Sequence, residues 1–150
     1  MDRRSALSNH QVRIGHVNVG EGRPFIIGGP CTIDPHSPQL FIETAHALKE
    51  AGVDALRGGV WKPRTNPYSY QGDNKAIDII LKAREETGLP IDIEVMDSAQ
   101  LRIALDSKVD ILQVGTRNAL NYSLLKEIGE KSAGTNSSVL LKRGRHVASP

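Results

Sequence analysis

The sequence is poor in cysteine and aromatic residues, and its charges nearly cancel. Of its 150 residues only Cys31 is a cysteine, so no internal disulfide can form, and we expect a reducing, cytoplasmic compartment. Aromatic residues make up 4%, and 19 Lys and Arg stand against 17 Asp and Glu, a net charge of +2. The chain therefore offers neither stacking platforms nor a basic stripe for nucleic acid, and any anion must be bound by local groups.

Long apolar runs are also missing. No run reaches the roughly 18 residues of a membrane span, and the first residues, MDRRSALSNHQVRIGH, have no apolar segment of a signal peptide, so no membrane partner is expected. With 39% hydrophobic and 24% charged residues, the composition is typical of one soluble globular domain. We expect a polar leader over residues 1–11 and the domain over residues 12–150.

Strand and helix patterns alternate along the domain. VRIGHVNVGEG predicts a hairpin arm. Five apolar stretches then predict strands, in the order PFIIGGPC, VDALRGGV, IDIEVM, DILQVG and SSVLLKRG, and the first has the continuous apolar run of a strand buried on both faces. Amphipathic helices are predicted between them, the first starting at Pro38 with an apolar face of Leu40, Ala47, Leu48 and Ala51. Strict alternation predicts right-handed crossovers and a parallel sheet.

Polar groups follow the carboxyl ends of the predicted strands, where parallel α/β folds bind their ligands. Any one cation there can be a solvated loop residue, but together they suit a substrate with phosphate and carboxylate groups. Glu94, inside an apolar strand, is either a paired structural acid or a catalytic one. Cys31, judged alone, is typical of a small buried hydrophobe. The cations of this edge are Arg57, Lys62, Arg64, Arg117, Lys142 and Arg143.

The stretch GGVWKPRTNPYSYQGD is the most unusual part of the sequence. It presents two cations and a hydroxyl, from Lys62 to Thr65, on a backbone stiffened by Pro63 and Pro67. This arrangement indicates a binding segment for an anion rather than a simple connection.

The motifs GGPCT, LRGGVWKPRTNPYSYQG, IEVMD, LQVGTRN and LLKRG, in this order on successive strands, closely resemble 3-deoxy-7-phosphoheptulonate synthase, the first enzyme of the shikimate pathway of aromatic amino acid biosynthesis. The resemblance is closest to the compact-barrel branch of the type I enzymes and runs from about Val12 to Gly144. It implies an α/β fold, a TIM (β/α)8 barrel, of which this chain holds about the first five strands and four helices. It also implies a transferase that condenses phosphoenolpyruvate with erythrose 4-phosphate.

The resemblance assigns roles to the edge residues. Lys62 and Glu94 are implied to be catalytic. Pro63, Arg64 and Thr65 are implied to bind erythrose 4-phosphate, with Pro63 fixing the distance between the two substrates. Thr116 stands where the family usually has Ala, which is tolerable if its role is a backbone N–H to phosphate. The residues implied to bind phosphoenolpyruvate are Arg57, Lys62, Gly115, Thr116, Arg117 and Lys142.

The resemblance also implies a divalent metal of the Mn, Fe, Co or Zn class, with Cys31 as one ligand, which reverses the default interpretation of that cysteine. A His, a Glu and an Asp of later strands are implied to complete the metal site, beyond the 150 residues. We therefore expect a truncated chain with negligible catalysis of its own, and a homo-oligomer at full length. The alternatives are an octulosonate 8-phosphate synthase, disfavoured by Lys62 to Thr65, and a non-catalytic half-barrel that binds phosphorylated metabolites.

Overall fold

The computed structural model describes residues 12–20, 22–62, 66, 68 and 72–144. The strands are β1 Val12–Ile14, β2 Val17–Val19, β3 Ile27–Gly28, β4 Ala55–Arg57, β5 Ile91–Glu94, β6 Ile111–Val114 and β7 Ser138–Leu141. The helices are α1 Pro38–Glu50, α2 Lys75–Thr87, α3 Ser98–Asp106 and α4 Tyr122–Ser132, with a short 3-10 helix at Thr116–Asn118. Within these ranges no helix has the length and apolar character to cross a membrane.

The predicted alternation of strands and helices is confirmed. β1 and β2 form an antiparallel hairpin with Val12 opposite Val19. The other five strands form one parallel sheet in the order β3-β4-β5-β6-β7, and a helix follows each of the first four. Local signals start the helices as the sequence suggests, since Pro38 opens α1 and the carboxylate of Asp97 accepts a hydrogen bond from Gln100 N at the start of α3.

One face of the sheet packs against the helices and is called the outer face; the opposite face is the inner face. Because strand side chains alternate between faces, every second residue of the central strands joins this core. Leu56, Ile93 and Leu112 are each fully buried there, together with Ile80 of α2 and Leu101 of α3. Burying an aliphatic side chain of this size contributes about 2 kcal/mol, so this layer provides most of the driving force for folding.

The inner face of the sheet is divided along its strands. Near the amino ends, Ala55 and Ile111 are buried in a small apolar cluster with Ile14 of the hairpin, so β1 and β2 cover that end. Near the carboxyl ends, the same face changes to charged and polar side chains. The cross-strand pairs Arg57 with Asp92 and Glu94 with Gln113 lie there. The sheet register therefore brings the predicted functional residues onto one face.

Two details of the sequence prediction are wrong. The inward residues of α1 are Phe41, Ile42 and Ala45, whereas Leu40 is 66% exposed, and Ala47 and Ala51 are exposed too. Of the predicted face only Leu48 packs against the core, in part. The stripe of α1 that packs into the core therefore starts at Phe41 and continues through Ile42 and Ala45.

The first predicted strand is also shorter than its apolar run. Only Ile27–Gly28 has strand geometry, and Ile26 is half exposed rather than buried. Before β3, the backbone N–H of Ile26 bonds to the side chain of Asp54 instead of a neighbouring strand. After β3, Gly29 has φ 143, and a Cβ there would overlap the carbonyl oxygen of Arg57. The strand therefore ends where only glycine fits.

Candidate active site

The first pair of predicted site residues joins the loops after β3 and β4. Lys62 follows β4 and is half buried, and its Nζ donates hydrogen bonds to the backbone oxygen of Cys31 at 2.9 Å and to Cys31 Sγ. The same two loops are also joined through their backbones, since Ile33 N after β3 donates a hydrogen bond to Gly59 O after β4 at 2.9 Å. The structure therefore brings together the implied metal ligand and the implied catalytic lysine.

Cys31 is exposed, which contradicts the default expectation of a buried hydrophobe. The hydrogen bond from Lys62, aided by the charges of Lys62 and Arg57, lowers the pKa of the Cys31 thiol below its ordinary value, against the opposing effect of burial. The thiolate is the nucleophilic and metal-binding form of cysteine, so this environment favours ligand chemistry.

Backbone and side-chain contacts join the end of β4 to the residues before α2. Trp61 forms an isolated antiparallel bridge with Gly72, and its indole Nε1 donates to Asn74 Oδ1 at 2.8 Å. Asp73 N donates to Val60 O at 3.2 Å. These contacts join the end of β4 to the start of α2 across the connection. Pro63, Arg64 and Thr65, the implied erythrose 4-phosphate residues, lie outside the described residues, so their roles stay predictions.

Glu94 ends β5 at the carboxyl edge and is half buried. Its Oε2 accepts a hydrogen bond from Gln113 Nε2 at 3.4 Å, and Gln113 itself is 2% exposed. A Cβ on Gly115 would overlap Glu94 Oε1, so only glycine leaves room for the carboxylate in its position. Gly115 thus has a steric role in the site that its motif alone did not indicate.

The remaining predicted cations lie along the same edge. Arg57 is the last residue of β4 and is half buried. Thr116 and Arg117 are exposed on the 3-10 helix after β6. Lys142 follows β7 directly, and its backbone N–H donates to Val114 O at 3.0 Å, which continues the pairing of β6 with β7. Arg57, Lys142 and Glu94 all act electrostatically on one buried group, whereas Thr116 and Arg117 lie on the exposed rim.

That buried group is Asp92, which the sequence interpretation missed. Asp92 is 1% exposed in the middle of β5, on the same face as Glu94 and beside Arg57. Burial, reinforced by Glu94 and opposed by Arg57 and Lys142, raises the pKa of Asp92 to about 7. Its position two residues before Glu94 in an apolar strand was the signal that could have identified it, because residues i and i+2 share a face.

The Cys31 thiolate could supply one of the ligands of a transition-metal site. A thiolate at Cys31 suits Zn, Fe, Co or Mn chemistry in a mixed ligand set. Among residues 12–20, 22–62, 66, 68 and 72–144, no three His, Cys, Asp or Glu side chains converge on a common point. The fold and the edge together define a parallel α/β protein of the barrel type with cations at the carboxyl ends of its strands.

Comparison with known proteins identifies the family. Residues 5–149 match the DAHP synthetase I family, so the chain belongs to this family. Its five parallel strands and the four helices that follow the first four of them agree with part of a (β/α)8 barrel, as the resemblance implied.

Individual relatives agree with the family match. The chain is 40% identical over 134 residues to phospho-2-dehydro-3-deoxyheptonate aldolase of Thermotoga maritima, covering 89% of this chain and 38% of the relative. A crystal structure of a Thermotoga maritima protein of this name (DAHP synthase) superposes with a TM-score of 0.79 at 38% identity, over 90% of this chain and 38% of that one. A 2-dehydro-3-deoxyphosphooctonate aldolase of Syntrophobacter fumaroxidans is 31% identical, over 87% of this chain and 46% of the relative. The chain thus spans less than half the length of these relatives.

Proposed function

We propose that this chain forms the phosphoenolpyruvate-binding part of a 3-deoxy-7-phosphoheptulonate synthase, a transferase that joins phosphoenolpyruvate to erythrose 4-phosphate and releases phosphate. The main support is the position of Arg57, Lys62 and Lys142, which lie at or just after the carboxyl ends of two strands of one parallel sheet. Membership of the DAHP synthetase I family supports phosphorylated substrates, and we infer that this edge binds their anionic groups.

In this proposal each residue has a separate task. Arg57 and Lys142 bind the carboxylate and phosphate of phosphoenolpyruvate, with Arg117 on the rim and the backbone of Gly115 and Thr116 nearby. Lys62 holds the substrate phosphate from the side of Cys31. Arg64 and Thr65, spaced by Pro63, bind the phosphate of the sugar. Fixed cations of this kind stabilise the departing phosphate without reorganising.

The reaction consumes one water: it forms a carbon–carbon bond and a carbon–oxygen bond to that water, and it breaks the bond between carbon and the phosphate oxygen. One proton of the water ends on the former aldehyde oxygen, and the other leaves with the phosphate. The enol carbon attacks the aldehyde carbon, water adds to the carbon that carries the phosphate, and inorganic phosphate leaves. Glu94, whose carboxylate lies beside Gly115, accepts a proton from that water as a general base in this proposal. A divalent metal held in part by Cys31 supplies Lewis-acid polarisation of the aldehyde oxygen when it is bound.

The cellular setting follows from the same proposal. We place the protein in the cytoplasm, because its lone cysteine suits a reducing compartment, and we propose that the full-length protein is a homo-oligomer. An octulosonate 8-phosphate synthase is the weaker alternative, since the relatives of that name are 26 to 31% identical to this chain, against 40% for the heptonate aldolase.

The test is calorimetric binding of phosphoenolpyruvate to the 150-residue chain and its variants. Arg57→Met and Lys142→Met should each weaken binding by tenfold or more, on the order of 1.4 kcal/mol or greater. Arg102→Met and Lys126→Met remove exposed cations on α3 and α4 and should change the affinity less than twofold. Equal effects of site and control variants would show that the anion is bound by general charge and not at this edge.

A second titration discriminates the sugar. With phosphoenolpyruvate present, erythrose 4-phosphate should bind more tightly than arabinose 5-phosphate, and the preference should be lost in Arg64→Met. A preference for the five-carbon sugar would support the octulosonate alternative instead.

A further inference from the structure

Asp92 is a buried carboxyl group whose hydrogen bonding is incomplete, unlike that of a structural ion pair. It lies on the inner face of β5, between Arg57 of β4 and Ile111 of β6 in the sheet register. It is 1% exposed, and its Oδ1 has no hydrogen-bond partner among the described residues. A buried carboxyl oxygen without a partner costs about 1 to 3 kcal/mol, so the fold tolerates a defect directly beneath the cationic edge.

The charges that face Asp92 come from three elements. β4 contributes Arg57, β5 itself contributes Glu94, and the residue after β7 contributes Lys142. The nearest side chains of β6 on this face, Ile111 and Gln113, do not titrate. Arg57 and Lys142 favour the ionised form of Asp92, whereas burial and Glu94 favour the protonated form. The ionisation of Asp92 therefore depends on two cations that the proposed function assigns to anion binding.

We propose that Asp92 couples anion binding at the cationic edge to the uptake of a proton from solvent by its unpartnered carboxyl oxygen. This inference rests on the proposed function of Arg57 and Lys142. An anion bound to these cations neutralises the charges that favour the carboxylate and adds a negative charge of its own. The proton then moves from solvent to Asp92, no other bond changes, and up to one proton is taken up per anion.

The coupling predicts a direction for the pH dependence of binding. Because the pKa of Asp92 is about 7 before binding, uptake occurs above neutral pH. By linkage, the affinity for the anion then falls as the pH rises, by up to about tenfold per pH unit. Below neutral pH, Asp92 already carries the proton, and the affinity becomes independent of its ionisation.

Sulfate is the probe, because it keeps both negative charges throughout this pH range and cannot itself take up the proton. Its binding to the whole chain is measured by calorimetry at pH 7.5 in buffers of different ionisation enthalpy. The slope of the observed binding enthalpy against the buffer ionisation enthalpy gives the number of protons taken up. We expect a slope above zero in the wild type and none in Asp92→Asn. Asp54→Asn changes another buried aspartate, far from the cationic edge, and should keep the wild-type slope.

The outcomes separate the two proposals. Sulfate that binds without proton uptake, or with the same uptake in Asp92→Asn, overturns the coupling and leaves the proposed function standing. Sulfate that does not bind, or that Arg57→Met binds equally well, overturns both.

A measurement on the wild type alone removes any dependence on how the variant folds. The carboxyl carbon of Asp92, assigned by NMR, should titrate near pH 7, and its midpoint should move upward when sulfate is added. A midpoint that sulfate leaves unchanged contradicts the coupling.

Discussion

An aspartate is buried near each end of the sheet, and the two have opposite surroundings. At the amino end, Asp54 is 8% exposed and accepts hydrogen bonds from both terminal nitrogens of Arg23, at 2.7 and 3.1 Å, and from Ile26 N at 2.8 Å. The hydrogen bond from Arg23 lowers the pKa of Asp54, helped by the one from Ile26. Towards the carboxyl end, Asp92 is more deeply buried, its Oδ1 has no hydrogen-bond partner in the part of the chain that the structure describes, and its pKa is raised.

The difference separates a stabilising end of the sheet from a functional one. Asp54 connects the segment before β3 to the start of β4, so its charge is satisfied and fixed. Asp92 carries an unsatisfied oxygen that a protein selected for stability alone would replace. Buried polar atoms without partners are expected where a site must respond to a ligand. In this sheet, the unsatisfied oxygen of Asp92 lies on the side of the implied substrate site.

The largest expected effect is on the pH dependence of stability. Asp92 has an ordinary pKa of 3.8 in the unfolded chain and about 7 in the folded one, so between these values the folded state keeps a proton that the unfolded state has lost. The free energy of unfolding should fall as the pH rises through this window, on the order of 4 kcal/mol in total at about 1.4 kcal/mol per unit. Urea unfolding from pH 4 to pH 8 measures it.

Asp92→Asn is the matching variant for that measurement. It should remove this part of the pH dependence and be the more stable protein at pH 8. A wild type and a variant with parallel profiles would show that Asp92 is ionised and satisfied in the folded state.

The second prediction concerns the amino end. Asp54→Asn should lower the free energy of unfolding at pH 7 by about 2 kcal/mol, because charge-assisted hydrogen bonds to Arg23 and Ile26 weaken. Since the pKa of Asp54 is lowered, the wild type gains this stability above pH 3.8 and loses it as the pH falls below that value. If Asp54→Asn were as stable as the wild type at pH 7, the hydrogen bonds of Asp54 would not stabilise the fold, and the contrast with Asp92 would be refuted.

The third prediction tests the space beside Glu94. Gly115→Ala should cost at most about 1 kcal/mol, because the added Cβ displaces the Glu94 carboxylate, which is the end of a flexible side chain. Gly129→Ala is the control, since nothing lies within 4 Å of a Cβ there, on α4, and it should be neutral or slightly stabilising. Thermal unfolding of both variants checks the difference, and equal melting temperatures would argue against the close contact.

The smallest expected effect is a shift of one titration. Arg57→Met removes a charge that favours the ionised form of Asp92, so the pKa of Asp92 should rise further, by roughly one unit or less. Carbon NMR of the Asp92 carboxyl group detects the shift, with Arg102→Met as the control that should leave the midpoint in place. A downward shift in Arg57→Met would show that Arg57 does not face Asp92.

The sequence predicted the order of elements well, because each strand and helix has a local signal. Pro38 and Asp97 start their helices, and Gly88 in the left-handed conformation ends α2. The errors at Leu40 and Ile26 have a common cause. Both residues are apolar, but their burial is decided by tertiary partners, such as the Asp54 side chain that binds the backbone of Ile26, and periodicity carries no information about those partners.

The positions of the candidate site residues could be predicted from local motifs, and their roles stay predictions. Arg57 and Glu94 lie at the carboxyl edge by the sheet register, Lys142 continues the pairing of β6 with β7, and Lys62 contacts Cys31. Asp92 was missed because its role depends on neighbours in β4 and after β7, which no local pattern reveals. The steric need for Gly115 likewise depends on the Glu94 side chain across the sheet.

Trp61 gives this molecule an optical sensor in a useful place. It is the only tryptophan in the chain, its ring is buried, and its indole nitrogen donates a hydrogen bond to Asn74 just before α2. Its emission wavelength and accessibility to quenchers should therefore report changes at the junction of β4 and α2, with no background from other tryptophans. Stopped-flow fluorescence can then time the binding of the sugar phosphate that we propose for this part of the chain, without labelling the protein.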